Sequence, residues 1–144
     1  MKISCLFVLA LALLTFLSCE DNEQNDNIPH GAFRYTGTYQ GTAVVKGWLQ
    51  FSSTNVQDLR GNWHLEKVGE PAVKLGPQIG DGQFQGSVND DGLVVLQLNP
   101  GNADNNVGLA GRFQGEPFSS NLTGTWTYTG FAGLISQGDF TARK

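Results

Sequence analysis

The chain has 144 residues, a length that suits one domain, and it carries nine basic and thirteen acidic side chains for a formal net charge of −4. This excess of acid disfavours nucleic acid as a partner and disfavours electrostatic attachment to anionic lipid. Any association with a membrane must therefore come from another source.

The first segment is strongly apolar. Lys2 is followed by fifteen residues, Ile3 to Leu17, of which only Ser4 and Thr15 are polar. This run is too short to span a bilayer as a relaxed helix. A basic start and a short apolar core predict a secretory signal peptide over residues 1–18.

The signal ends in Phe16-Leu17-Ser18-Cys19, which resembles the lipobox of bacterial lipoproteins, although Phe16 stands where Leu, Val or Ile is usual. The resemblance implies a diacylglycerol on the Cys19 sulfur, cleavage after Ser18 and acylation of the new amino group. Two or three acyl chains, at about 0.8 kcal/mol per buried CH₂, make a lasting anchor. The expected location is the bacterial outer membrane, on its periplasmic or cell-surface side.

A structural role for Cys19 is the alternative, as a buried or disulfide-bonded residue. Its only possible partner is Cys5, which lies in the apolar run and would leave with the signal peptide. The mature chain, 144 − 18 = 126 residues, would then contain no disulfide, and its core alone must hold the fold.

A tether is predicted over residues 19–35. The stretch "EDNEQNDNIP" at 20–29 has four acids, three Asn and no aromatic residue, so it buries too little to offset ordering. Acids directly after the modified cysteine (Glu20, Asp21 and Glu23) also resemble the surface-export signal of some Bacteroidetes lipoproteins.

Period-two alternation dominates the predicted domain, residues 36–144, and predicts half-buried strands. The strands are expected at 36–46, 47–54, 59–68, 82–88, 93–98, 107–115, 122–129 and 134–142. Turn sequences such as "NDDG" at 89–92 separate them. Eight short strands with hairpin-length links predict an all-β, antiparallel up-and-down barrel, with a β-sandwich as the alternative.

A Gly-x-aromatic pattern favours the barrel. It occurs at Gly37/Tyr39, Gly61/Trp63, Gly82/Phe84, Gly111/Phe113, Gly124/Trp126 and Gly138/Phe140. Glycine lets a strand bend sharply in a closed sheet, and a neighbouring ring covers the exposed backbone. With this pattern, and with the opening "GTYQGT" and closing "GDFTARK", residues 36–142 resemble the calycins, the lipocalin and avidin-like barrels.

The sequence gives little support for catalysis, and we expect no enzyme activity, cofactor or metal. His64 and Glu66 are two residues apart on one strand face, which we expect to be an outer polar stripe and not a zinc site or proton-transfer pair. The acids of "NDDG" and of 104–106 are explained by hairpin turns, not by calcium.

The candidate ligand-binding residues are the six predicted inward rings: Tyr39, Trp63, Phe84, Phe113, Trp126 and Phe140. An eight-stranded barrel is wide enough either to be filled by side chains or to hold one small ligand, so a filled core and an aromatic pocket both remain open. The first hypothesis is a lipid-anchored module that binds a small apolar or glycan-like molecule.

The rival hypotheses concern the outside of the barrel. Loops 69–82, stiffened by Pro71 and Pro77, and 115–121, with Phe118 near its tip, are suited to a protein partner, as in a periplasmic protease inhibitor. A passive envelope component with no discrete ligand is a further alternative.

Overall fold

The computed structural model describes residues 28–144 as one closed, antiparallel barrel of eight strands. Each strand pairs with its neighbour in the chain, and the last pairs with the first, so the predicted up-and-down barrel is confirmed. The strands are β1 (Phe33–Tyr39), β2 (Thr42–Asn55), β3 (Asp58–Lys67), β4 (Gly80–Val88), β5 (Val94–Gln97), β6 (Asn105–Phe113), β7 (Leu122–Gly130) and β8 (Gly133–Arg143).

The domain starts earlier than the sequence suggested. β1 begins at Phe33, inside the predicted tether, because Phe33 and Tyr35 both point into the core and are 2% and 1% exposed. The signal peptide, Cys19 and most of the predicted tether lie outside the described residues.

The position predicted for the first turn, between strands 36–46 and 47–54, was wrong. The chain instead turns at Gln40 and Gly41, both with positive φ (50° and 80°), as a two-residue hairpin turn requires. Gly47, where the second strand was predicted to begin, lies within β2, and a Cβ there would overlap the His64 carbonyl of β3. That glycine marks a close approach of two strands, not a turn.

The barrel has two ends, which we name by the chain's path. At the near end β1 begins and β8 finishes, and the connections there are 56–57, 89–93 and 114–121. The far end holds connections 40–41, 68–79, 98–104 and 131–132. Within residues 28–144 the one helical segment is a 3-10 turn, Gly76–Gln78, in the loop 68–79, and no helix there is long and apolar enough to cross a membrane.

Candidate functional site

The six candidate rings lie in or against one continuous core. Trp63, Phe84, Trp126 and Phe140 are at most 3% exposed, whereas Tyr39 and Phe113 are partly buried and pack against the same cluster. Buried leucines and valines from β2, β3, β5, β6 and β7 fill the space between them. The structure therefore brings all six residues together, as a packed hydrophobic interior.

The glycines of the motif accommodate rings from the neighbouring strand. On β3 and β4, Gly61 lies opposite Phe84 and Trp63 lies opposite Gly82, so the two motifs exchange their rings. A Cβ on Gly82 would lie 2.7 Å from the Trp63 ring. The room that glycine leaves is thus occupied by the partner strand's ring.

The same exchange occurs on the other side of the barrel. On β7 and β8, Gly124 lies opposite Phe140 and Trp126 lies opposite Gly138. A Cβ on Gly138 would lie 2.7 Å from the Trp126 ring, and the Phe140 ring extends to within 3.0 Å of a Cβ on Gly111. The two opposite walls of the barrel are therefore built alike, since in each of them two glycines face two rings of the neighbouring strand.

The indole nitrogens of the two buried tryptophans form hydrogen bonds inside the protein. The Trp63 indole N–H donates to the Leu98 carbonyl at 2.8 Å, and that of Trp126 donates to the Thr38 carbonyl at 3.1 Å. The hydroxyl of Tyr35 has no hydrogen-bond partner among the described residues, and burial raises its pKa. The sequence left open a filled core and an aromatic pocket, and this arrangement favours the filled core. A ligand among the rings stays a prediction.

The near end is closed by the loop 115–121. Phe118, at a φ of +61°, packs its ring against Phe113 and Phe51, with centroids 4.9 and 5.3 Å away. Lys144 lies over the Phe33 ring at 4.5 Å on the same end. The Phe118 ring therefore covers this end of the core, and a protein partner at the loop stays a prediction.

The far end is closed by the loop 68–79. Leu75 is 7% exposed and Gln78 is fully buried, with its side-chain N–H donating to the Leu75 carbonyl at 2.8 Å. The Asn99 amide holds the Pro77 carbonyl at 3.2 Å, and Gly76 lies directly under the Tyr128 ring. Most of the predicted loop 69–82 is therefore a cover, and its last residues, 80–82, belong to β4.

The turn between β7 and β8 is the exposed apolar surface that sequence reasoning missed. Phe131 at its tip is 91% exposed, and Leu134 and Ile135 just after it are 58% and 45% exposed. The available signal was the run "GFAGLIS", which is unusually apolar for a hairpin turn. We name residues 131–135 the apolar tip.

A groove of about 800 Å³ lies beside this tip. Val73 and Lys74 of the far-end cover line one part, and Leu134 to Asp139 of β8 line another, with Tyr39 also at its wall. The Ser136 hydroxyl donates to the Lys74 carbonyl and joins the cover to β8. The apolar tip and the groove thus form one continuous surface.

The outer wall of β2, β3 and β4 carries a polar cluster around His64. Its Nδ1 lies 2.6 Å from Asp81, its Nε2 lies 3.1 Å from Glu66, and Trp48 stacks on its ring with centroids 6.0 Å apart. The hydrogen bond to Asp81 is the main cause that raises the pKa of His64, partial burial opposes it, and Glu66 adds to the rise.

This cluster matches the outer polar stripe predicted for His64 and Glu66. The sequence missed Asp81, because it lies on the next strand seventeen residues away. The two carboxylates bind opposite nitrogens of one ring, so they do not converge on a point. Within residues 28–144 no group of three or more His, Cys, Asp or Glu side chains is placed to hold a metal ion.

Comparison with protein-family models, curated proteins and solved structures gave no match for this chain. The class that the fold itself defines is a small, closed, eight-stranded up-and-down barrel with a packed interior.

Proposed function

We propose that this protein is a lipid-anchored, non-enzymatic binding module of the bacterial envelope that holds a protein partner through the far end of its barrel. The observation that carries the proposal is the apolar tip, where Phe131 is 91% exposed beside two further exposed aliphatic side chains. Contiguous exposed apolar residues at a loop commonly mark an interaction surface, and aromatic anchors dominate binding energy there.

The position of the tip relative to the chain's start supports this use. The chain enters β1 at the near end, and a tether from Cys19 would join the barrel there. The apolar tip lies at the far end, after β7 has crossed the barrel. A partner would then meet the surface that faces away from the membrane.

The surroundings of the tip suit a protein partner. The far-end cover beside it contains Pro71 and Pro77 and is held by its buried Leu75 and Gln78. A surface that is ordered before binding loses less entropy when a partner docks. An apolar hairpin inserted into a partner's pocket, with the groove at Val73 and Leu134 receiving a partner side chain, fits these features.

Anchoring is tested by metabolic labelling with an alkyne fatty acid in the bacterium. The wild-type chain should take up label and fractionate with membranes, while Cys19→Ala should take up no label and accumulate as the unprocessed precursor. Label retained by Cys19→Ala, or a soluble wild-type chain, would refute the lipoprotein assignment.

Partner binding is tested with a photoreactive phenylalanine analogue placed at Phe131 in the anchored protein. We expect one discrete crosslinked adduct from position 131 after illumination of intact cells. The matched control places the same analogue at Gln57, an exposed position in a near-end turn. Equal adducts from both positions, or none from position 131, would argue against a far-end binding surface.

A further inference from the structure

The outer wall of β8, β1 and β2 carries a row of side chains unlike the rest of the surface. Arg34 of β1 lies directly opposite Arg143 of β8 and also directly opposite Trp48 of β2. Cross-strand partners project to the same face of a sheet, so all three stand on the outside. We name Arg143, Arg34 and Trp48 the wall row.

The two arginines of the wall row have no ion-pair partner among residues 28–144. Arg60, Lys67 and Arg112 each bind a carboxylate within 3.0 Å, whereas neither Arg34 nor Arg143 has one within ion-pair distance. Like charges directly opposite each other on a sheet are unfavourable, and here they occur on a chain of net charge −4. Such a pair is complementary to an anion.

In the described part of the chain, the acids nearest in the sheet do not pair with these two arginines. The closest acid along β8 is Asp139, four residues from Arg143 and so about 14 Å away along the strand. Glu66 lies opposite Lys46 on the neighbouring strand pair and binds His64. Within residues 28–144, neither guanidinium group is therefore neutralised by a carboxylate.

Trp48 adds a flat surface to the row. His64 covers one face of its ring, with centroids 6.0 Å apart and planes within 28° of parallel. Trp48 is half-buried, and in the sheet it lies between His64 of β3 and Arg34 of β1. Asp81 and Glu66 bind the two ring nitrogens of His64 and so hold that ring in place against Trp48.

We propose that the wall row binds a carboxylated sugar of an acidic polysaccharide. The sugar carboxylate accepts hydrogen bonds from the guanidiniums of Arg34 and Arg143, which suit planar carboxylates. The C–H face of the sugar ring lies against the accessible part of Trp48, because the electron-rich face of an aromatic ring attracts partly positive hydrogens.

The adjacent row offers groups for the sugar hydroxyls. Thr36 lies opposite Thr141 on the same outer face, two residues along from Arg34 and Arg143. A nucleic acid fits this surface poorly, since its continuous backbone charge would meet the acidic remainder of the protein. A uronic acid oligomer presents single carboxylates spaced by neutral rings, and only one needs to reach the arginine pair.

The test measures binding of tetragalacturonic acid to the detergent-solubilised, lipidated protein by calorimetry and by amide shifts in NMR spectra. The neutral probe is the same tetramer with methyl-esterified carboxylates. We expect shifts at Arg34, Trp48 and Arg143 with the acid, and at least tenfold weaker binding of the ester.

The variants are Arg34→Gln with Arg143→Gln, and separately Trp48→Ala. Each should weaken binding of the acid tetramer at least tenfold, while Arg60→Gln, which removes an ion-paired arginine elsewhere on the wall, should change it less than twofold. A single cooperative thermal melt for each variant shows that these outer-wall substitutions leave the barrel folded.

Three results would overturn the proposal: no shifts at the wall row, equal binding of acid and ester, or binding that survives both variants. A tetraglutamate peptide that competes equally, with Trp48→Ala still binding, would assign the surface to acidic peptides instead. Because the apolar tip is untouched by these variants, this test is independent of the far-end binding surface.

Discussion

Two hairpins of this barrel, β3–β4 and β7–β8, are built alike in the wall and differently beyond it. In both, a Gly-x-Trp strand exchanges rings with a Gly-x-Phe strand, and in both the Trp N–H donates to a carbonyl of another strand or its end. Their connections at the far end differ. The first folds inward as a cover with Gln78 fully buried, and the second is a short turn that exposes Phe131.

The shared part of the two hairpins is explained by folding alone. A closed, strongly curved sheet needs positions without side chains, and the opposing rings fill them. The differing part is not required for closure, because one cover already buries the far end. Phe131, which is 91% exposed next to that cover, has little role in packing, and this difference between the connections supports the proposed binding surface.

The largest expected effect is the loss of stability when the buried tryptophan of either wall is removed. Trp63→Ala and Trp126→Ala should each lower the free energy of unfolding by about 3–5 kcal/mol, because each removes a buried ring and leaves a cavity. Trp48→Ala, on the outer wall, should cost only about 1 kcal/mol through its lost stacking on His64. Urea denaturation followed by circular dichroism measures all three.

A small loss of stability from either interior substitution would show that the two walls are packed differently. A loss below about 1 kcal/mol for Trp63→Ala or Trp126→Ala is not compatible with a core ring and would revive the ligand-pocket interpretation. Trp→Phe at each position keeps most of the volume and isolates the hydrogen bond to the Leu98 or Thr38 carbonyl.

Alanine substitution of one glycine in each wall should lower stability by different amounts, because different atoms lie over the two glycines. At Gly82 an added Cβ meets only the Trp63 ring, at 2.7 Å, whereas at Gly138 it meets the Trp126 ring and overlaps the Thr38 carbonyl. Overpacking costs about 1–3 kcal/mol, and a side chain yields more readily than backbone. We therefore expect Gly138→Ala to be the more destabilising of the two.

The control for both glycine variants is Gly108→Ala, in the same barrel. There an added Cβ comes no closer than 3.2 Å to the Thr127 hydroxyl, so the change in unfolding free energy should stay within about 0.5 kcal/mol. A reversed order of Gly82→Ala and Gly138→Ala in thermal melts would contradict the packing described for the two walls.

The two connections should differ just as clearly. Leu75→Ala in the far-end cover removes a side chain that is 7% exposed and should cost about 2–3 kcal/mol. Leu134→Ala at the apolar tip changes an exposed side chain and should stay within about 0.5 kcal/mol. Equal losses in urea denaturation would mean that the tip packs in solution and is no free surface.

The sequence predicted the walls well and the ends poorly. Alternation and Gly-x-aromatic spacing are local patterns, and they were enough to predict eight strands, a closed barrel and inward rings. The cover, the Phe118 ring over the near end and the partner of His64 depend on chain segments that meet only in the folded state. Period and turn chemistry carry no information about such contacts, so Pro71 and Pro77 predicted a stiff loop but not that it would cover the core.

The wall row shows the same limit. Arg34, Trp48 and Arg143 are far apart in the sequence and become neighbours only through the register of β8 with β1 and of β1 with β2. The turn at Gln40 and Gly41 sets the β1–β2 register, and the sequence pattern misplaced it. An error of a few residues in one turn was enough to hide that surface.

The smallest expected effect concerns the outer side of the same two hairpins. His64 and Asp81 stand opposite each other on β3 and β4, while the equivalent pair on β7 and β8 is Thr127 and Gln137, which do not titrate near neutral pH. Of the two hairpins, only the first should therefore make the stability of the barrel depend on pH near neutrality.

The sign follows from the charged form. Because Asp81, and then Glu66, raise the pKa of His64 in the folded state, protonated His64 stabilises the fold. That contribution is complete below the unfolded pKa, about 6.5, and is lost as the pH rises through the higher folded value. The His64 side chain is 33% exposed and its acidic partners are more so, and solvent screening limits the effect to less than about 1 kcal/mol.

His64→Gln isolates this contribution, because it leaves His30 and every carboxylate in place. The stability of the wild type relative to His64→Gln, from urea denaturation at pH 5 to 8.5, should fall across the range above pH 6.5. In the same range the emission of Trp48 should rise, since a stacked imidazolium quenches indole and a neutral imidazole does so less. A difference that stays flat over this range would mean that His64 does not bind Asp81 in solution, and the two hairpins would then be alike on their outer side as well.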